Sequence, residues 1–242
     1  MIIDINCDLG EGMENDAHIM PFITSANIAC GFHAGDDNTM RSTIALAVEH
    51  HVNIGAHPSF NDRENFGRSE MELPPEKLYD LMLQQLMKID LAAKELGASL
   101  HHVKPHGALY NMAARDASVA AAVTSAIRDF NTGLKLYGLS GSLLIREGKS
   151  LGITTVSEVF ADRRYCDDGS LVPRSQEHAV IEEEEACRQQ VFNLARGTVE
   201  TISGAQLQLV AETICIHGDG ENALVFASLV RKCLDQLQQR PN

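Results

Sequence analysis

The chain has 242 residues, 44% of them hydrophobic, which is enough for one large α/β domain spanning 1–242, and no linker composition divides it. Its 33 Asp and Glu against 20 Lys and Arg give a formal charge of -13, which repels nucleic-acid backbones and anionic lipid surfaces alike. The lack of tryptophan argues against a platform for stacked bases, and the six cysteines include no C-x-x-C pair, so they are expected as reduced thiols.

The opening residues MIIDINCDLGE carry acid where a secretory leader carries base, and no apolar run approaches the roughly 20 residues of a membrane span. A cytoplasmic protein with no membrane partner is the expectation. Apolar runs then recur along the chain at 2–6, 26–30, 52–56, 100–104, 134–139, 155–161 and 213–217, each read as a strand. Helical patterns separate them at 38–51, 75–96, 118–130, 143–151, 181–196 and 223–237. The clearest is 75–96, where Leu78, Leu81, Met82, Leu86, Ile89 and Ala93 recur at helical spacing between an initial proline and Gly97. Such alternation predicts parallel strands joined by right-handed crossovers.

Each strand ends in a short polar word: NCDLGE, CGFHAGDD, GAHPS, VKPHGALY, GLSGS, FADRRY and IHGDG. Alternate residues of a strand share a face, so Asp4, Asn6 and Asp8 lie together, as do His102, Lys104 and His106, or Glu158 and Asp162. Polar groups at most strand ends favour closure into a barrel with a single mouth over an open sheet with one crevice. The fold class is therefore α/β: a seven-stranded parallel β/α barrel, incomplete relative to the eight-stranded form.

The mouth contains the candidate chemistry. Asp8 and Glu11 follow the first strand and either bind a cation or divide acid and base roles; the bland alternative is a turn cap and a solvated carboxylate. His33, His57, His106 and His217 each stand just beyond a different strand, which is more than hydrogen-bonded structural histidines require. Lys104 shares a face with His106 and needs a carboxylate partner among Asp4, Asp8, Glu158, Asp162 or Asp219, either for catalysis or as a structural ion pair. Asp162 faces the interior, and Arg163 or Arg174 is placed to clamp a substrate carboxylate or to fix a loop. Gly218-Asp219-Gly220 forms an anion-binding helix start or a tight turn. No GxxxxGK[ST] occurs, so any ATP is held without a P-loop or by a partner chain. No HxxxH or HExxH pair occurs either, so a divalent metal is allowed by the inventory but no tightly held zinc is expected.

Together DINCDLGEG, SANIACGFHAGD, IGAHPSFNDRENFGR, HVKPHGALYN, EVFADRRY, GSLVPRSQ and ICIHGDGE resemble the LamB/YcsF family, whose members are described as one of the subunits of 5-oxoprolinase. The resemblance lapses at Glu177-His178-Ala179, where relatives often carry glycine before the alanine. It implies a barrel related to polysaccharide deacetylases and glycoside hydrolases. It also implies an activity: opening 5-oxo-L-proline to L-glutamate with ATP, and magnesium to accompany it, in a complex with two partner subunits. The assignment that follows is Asp8, His57, Lys104, His106 and Asp162 as catalytic, with Glu11, His33, Arg163, Arg174, His217 and Asp219 around the substrate. Two other readings stay open. One is a free-standing metal-dependent amidohydrolase or deacetylase using Asp8, His57 and His106, and the other is a scaffold subunit without catalysis.

Overall fold

A computed structural model describes residues 3–218 and 222–239. Strands β1 (Asp4–Leu9), β2 (Ser25–Ala29), β3 (Asn53–His57), β4 (His102–Val103), β5 (Lys135–Leu139) and β6 (Thr155–Phe160) run parallel in that order. A short antiparallel hairpin follows, β7 (Thr198–Glu200) and β8 (Gln206–Gln208), and β9 (Thr213–His217) then inserts between β6 and β1 to close a seven-stranded barrel. Around it lie α1 (Asp16–Ile19), α2 (Asp37–Glu49), α3 (Pro75–Glu95), α4 (Gly107–Arg115), α5 (Ala117–Phe130), α6 (Leu143–Ser150), α7 (Glu184–Ala195) and α8 (Ala223–Gln239).

Local chemistry sets these boundaries. Asp36 caps α2 by accepting from the Thr39 amide, Asp116 caps α5 through the Ser118 and Val119 amides, and Ser142 caps α6 through Ile145. Strand β4 is shorter than the predicted 100–104 because Pro105 brings no amide to the ladder. Helix α4 and the β7–β8 hairpin are absent from the sequence reading. In α4 a nine-residue helix runs straight into the Asp116 cap of the next one, which leaves too short a window for a helical period to register. His178, where the resemblance lapses, stands at φ 60, the left-handed region that glycine enters freely.

The alternation along the strands divides two kinds of interior. Ile5, Cys7, Leu9, Ile28, Val103, Leu136, Val159, Ile214 and Ile216 are fully buried or nearly so and belong to the apolar core. Burying each such large side chain contributes about 1.5–3 kcal/mol. The lumen, by contrast, is filled by paired polar groups. Asp4 accepts from Thr24, Ser25 and Thr213 hydroxyls at 2.5, 2.8 and 2.6 Å. Asn27 donates to both Asn6 and Asp8, and it accepts from His102 Nε2 at 2.7 Å. The His102 ring stacks on Tyr137 with centroids 4.1 Å apart. Gly55 makes room for that ring, since a Cβ there would lie 2.1 Å from His102 Nε2. A barrel lumen of this kind tolerates its polar side chains because each finds a partner. No helix among the described residues is long and apolar enough to cross a membrane.

Candidate functional site

The strand ends open into a cleft of about 1260 Å³ whose walls include Asp8, His57, Lys104, His106, Arg174 and His217. Its floor begins with Asp8, placed by β1 between Asn27 of β2 and His217 of β9 in the strand register. Lys104, just past β4, donates to Asp8 Oδ1 at 2.8 Å, to Asn6 Oδ1 at 3.2 Å and to Cys215 Sγ at 3.0 Å. It also lies 2.9 Å from Glu158 Oε1, an ion pair outside hydrogen-bond geometry, so that oxygen is a buried acceptor without a hydrogen bond. Glu158 Oε2 accepts from Tyr110 at 2.6 Å.

These contacts set the charge states. Burial works to raise the Asp8 pKa, but the neighbouring His57 and Lys104 outweigh it and hold the carboxyl well below its usual range. Burial works to lower that of Lys104, and Asp8, Cys215 and Glu158 together carry it well above the ordinary lysine value. Asp8 is thus an anion and Lys104 a cation at neutral pH. With its donors engaged, Lys104 fixes Asp8 rather than pointing at open solvent; it is only 2% exposed.

The second group is imidazole-rich. His57 Nε2 lies 3.4 Å from Asp8 Oδ2 and 2.9 Å from His106 Nδ1. Glu11 Oε1 stands 3.2 Å from His33 Nε2, 3.5 Å from His106 Nδ1 and 4.0 Å from His57 Nε2. The His33 and His106 rings stack at 3.9 Å, and Phe66 closes on both edge to face. Burial pushes His33 down to about 2 and His106 well below the usual histidine value, so both rings are neutral. This group of one glutamate and three histidines has the composition and closeness to hold a divalent metal. Glu11 and His33 do not line the cleft itself; they stand behind His57 and His106.

The remaining predicted residues take different places. Asp162 reaches the Asp8 group through His217: it accepts from His217 Nδ1 at 2.8 Å and from the His217 amide at 3.2 Å, and ligand atoms of His217, Asp8 and Cys215 lie within 4.8 Å of one another. Burial would raise its pKa, and His217 lowers it below the usual range. Arg163 is buried, donating to the carbonyls of Val172 at 2.6 Å and Ala179 at 3.4 Å, so it ties down the loop after β6. Arg174 is exposed on the cleft wall and makes no hydrogen bond or ion pair among the described residues. Asp219 lies outside the described residues. Sequence reasoning missed Asn27, Ser59, Arg68 and Tyr110. Asn27 and Ser59 carry no charge to mark them, Arg68 lies well past its strand, and Tyr110 rides on the helix that was not foreseen.

A model of the LamB/YcsF family matches residues 3–241. The chain belongs to that family. A solved lactam utilization protein from Thermus thermophilus is 38% identical over 98% of each chain, with a TM-score of 0.92. A GH113 β-1,4-mannanase aligns over 99% of this chain and 100% of its own with a TM-score of 0.53 but 12% identity, a likeness of barrel fold alone. Family membership thus goes with a barrel mouth built of carboxylates, imidazoles and one ion-paired lysine.

Proposed function

We propose that the chain is the ring-opening subunit of an ATP-dependent 5-oxoprolinase, converting 5-oxo-L-proline to L-glutamate together with two partner subunits. The observation that carries this reading is the ionised Asp8 beside His57 at the floor of a cleft, in a chain similar from end to end to a lactam utilization protein.

An unstrained lactam is a poor electrophile, and activation of its carbonyl oxygen by the γ-phosphoryl group of ATP, with magnesium, makes attack by water feasible. Water then forms the new C–O bond and loses its proton to His57, whose imidazolium is stabilised by Asp8, or to Asp8 itself. The ring C–N bond breaks, the nitrogen taking a proton to become the amine, and the γ-carboxyl phosphate left behind is hydrolysed by a second water to glutamate and inorganic phosphate, ADP having left when the phosphoryl group moved to the carbonyl oxygen. The field of Lys104 stabilises the negative charge that develops as water adds and keeps Asp8 ionised and oriented, while His106 holds His57 in place. His217, held by Asp162, faces the same cleft as a second proton carrier. Arg174 is the better clamp for the substrate carboxylate, because Arg163 is committed to backbone carbonyls. The cleft exceeds what a five-membered lactam fills, leaving space for a phosphoryl group or a segment of a partner.

ATP-dependent glutamate release from 5-oxoproline, measured with and without co-purified partners, tests this directly. Release that requires both partners and ATP is the expected result. The imidazole-rich floor is the observation that favours a free-standing metal-dependent amidohydrolase instead, and that enzyme would release glutamate from 5-oxoproline alone, without ATP.

A further inference from the structure

The geometry points to a closed, zinc-type metal site formed by Glu11, His33, His57 and His106, holding the floor of the cleft from behind. It does not depend on the substrate assigned above.

The far nitrogen of each ring decides where its proton sits. His57 Nδ1 lies 2.7 Å from the Lys104 carbonyl, which can only accept, so this nitrogen carries a proton and Nε2 is the one whose lone pair an ion would take. His106 Nε2 lies 2.9 Å from the Phe66 carbonyl, so by the same argument Nδ1 presents a lone pair. Ser59 gives its single hydroxyl hydrogen to the Phe60 carbonyl at 2.9 Å, and it therefore accepts from His33 Nδ1 at 2.8 Å, leaving His33 Nε2 as a lone pair. Three rings are thus oriented from outside, each by an acceptor on its far nitrogen. That is the usual arrangement behind metal-bound histidines.

The three ring nitrogens and the Glu11 carboxylate lie within 4.8 Å of one another, and because His33 and His106 are stacked in parallel planes, loading turns one of these rings so that both planes contain the ion. His57 Nε2 and His106 Nδ1 are 2.9 Å apart, a separation at which two neutral rings would set lone pair against lone pair unless a cation lay beside both. Bonds of roughly 2.0–2.1 Å in a tetrahedron put neighbouring ligand atoms about 3.3 Å apart. The separations here of 2.9, 3.2, 3.5 and 4.0 Å scatter about that value. Three imidazole nitrogens and one carboxylate suit zinc or cobalt and not magnesium, so this would be a different ion from the one that accompanies ATP. Four protein ligands leave no open position, which makes the ion structural, locking His57 and His106 in place. With His57 Nε2 so engaged, the proton of the attacking water passes to Asp8, the second of the two bases named above. Phe66 contributes by geometry: it sits at φ 56, a left-handed conformation uncommon for a bulky residue, which aims its carbonyl at His106. The expectation of no tight zinc rested on the missing local histidine pair, whereas these four ligands come from four separate segments that share no spacing.

The test uses the untagged full chain, stripped with a chelator and titrated with Zn2+ or Co2+ in a calorimeter, with metal content of the unstripped protein measured by elemental analysis. One ion per chain is expected, unaffected by excess Mg2+, with a rise in melting temperature on loading and a tetrahedral cobalt absorption band. Glu11→Gln and His33→Ala should abolish stoichiometric binding, and Ser59→Ala, which touches no ligand atom directly, should weaken it by roughly 10–100-fold. If His33→Ala does not fold, Glu11→Gln and Ser59→Ala decide the question. Failure of the folded wild-type chain to bind either ion would overturn the proposal and leave a proton shared between His57 and His106. So would binding that Glu11→Gln and Ser59→Ala leave unchanged. Because the readouts are metal content, heat and melting temperature, they stand whatever substrate the cleft takes.

Discussion

Replacing Lys104 by methionine keeps most of the side-chain stem and deletes the charge at the centre of the lumen. The ammonium faces Asp8 at 2.8 Å and Glu158 at 2.9 Å, and all three side chains are nearly inaccessible to solvent, so screening does little to soften its loss. Removing one partner of such a buried group costs about 3–5 kcal/mol. For a chain of this size that corresponds to a fall of roughly 6–20 °C in melting temperature. The pH dependence has a definite sign. Lys104 has a raised pKa in the folded protein, so its contribution is complete below the ordinary lysine value and is lost only as pH rises through the folded one. Asp8 has a lowered pKa, so its contribution is present above the ordinary carboxylate value and is lost as pH falls through the folded one. In Lys104→Met the Asp8 carboxylate loses the cation that helps to hold its pKa down and takes up a proton more readily. The deficit relative to wild type should therefore shrink between pH 7 and pH 5, and Lys104→Met/Glu158→Gln should recover part of it. Denaturant melts of the three proteins at both pH values provide the measurement. A loss below about 1 kcal/mol at pH 7, or a deficit that grows on acidification, would refute the assignment of Lys104 as the counter-ion of Asp8 and Glu158.

In the assembled complex, Asp8→Asn and His57→Ala should each lower glutamate release by roughly 10²–10⁴-fold, whereas the exposed His50→Ala should leave it near wild type. The isolated chain should hydrolyse neither ATP nor 5-oxoproline, and robust ATP-coupled glutamate release by it alone would remove the case for partner subunits. Arg174→Ala should raise KM for 5-oxoproline with little change in kcat, as expected for lost ground-state binding. Arg163→Ala should instead destabilise the fold by about 1–3 kcal/mol by stranding the carbonyls of Val172 and Ala179, and equal KM effects for both arginines would contradict that division.

The barrel was legible because its signal is periodic. Asp4, Asn6 and Asp8 alternate with Ile5 and Cys7, and that alternation alone places the polar set in the lumen. The strand ends were legible for the same reason, and Asp8, His57, Lys104 and His106 do meet at the mouth. What the sequence could not resolve was depth. Glu11 and His33 follow their strands just as His57 does, yet they fall behind the cleft because the backbone turns at Gly10 and Gly31, both with positive φ. Neighbouring strand ends gave no warning that Asp162 would meet Asp8 only through His217, since β9 inserts beside β6 only after the hairpin that had not been foreseen. Arg163 directly follows Asp162, so on a continuing strand it would face away from the lumen and only a loop can turn it inward. The loop does so by folding back, placing the Val172 and Ala179 carbonyls where the guanidinium reaches them.

The two oxygens of Asp8 explain why stability and chemistry are separable here in spite of the crowding. Oδ1 is fully engaged, accepting from Lys104 and Asn27 at 2.8 Å each, and it belongs to the hydrogen-bonded filling of the barrel. Oδ2 faces His57 Nε2 at 3.4 Å, longer than a good hydrogen bond, and so retains acceptor capacity on the cleft side. An asparagine at this position keeps an oxygen for Lys104 and Asn27 and offers its amide to the lone pair of His57, so it preserves the lumen while removing the negative charge. Lys104→Met does the reverse, leaving Oδ2 in place and dismantling the network that orients it. A barrel filled with apolar layers would hold its strands together without constraining the mouth. Here the same hydrogen bonds that close the lumen also fix the direction of the carboxylate, which is why the polar interior persists despite its desolvation cost.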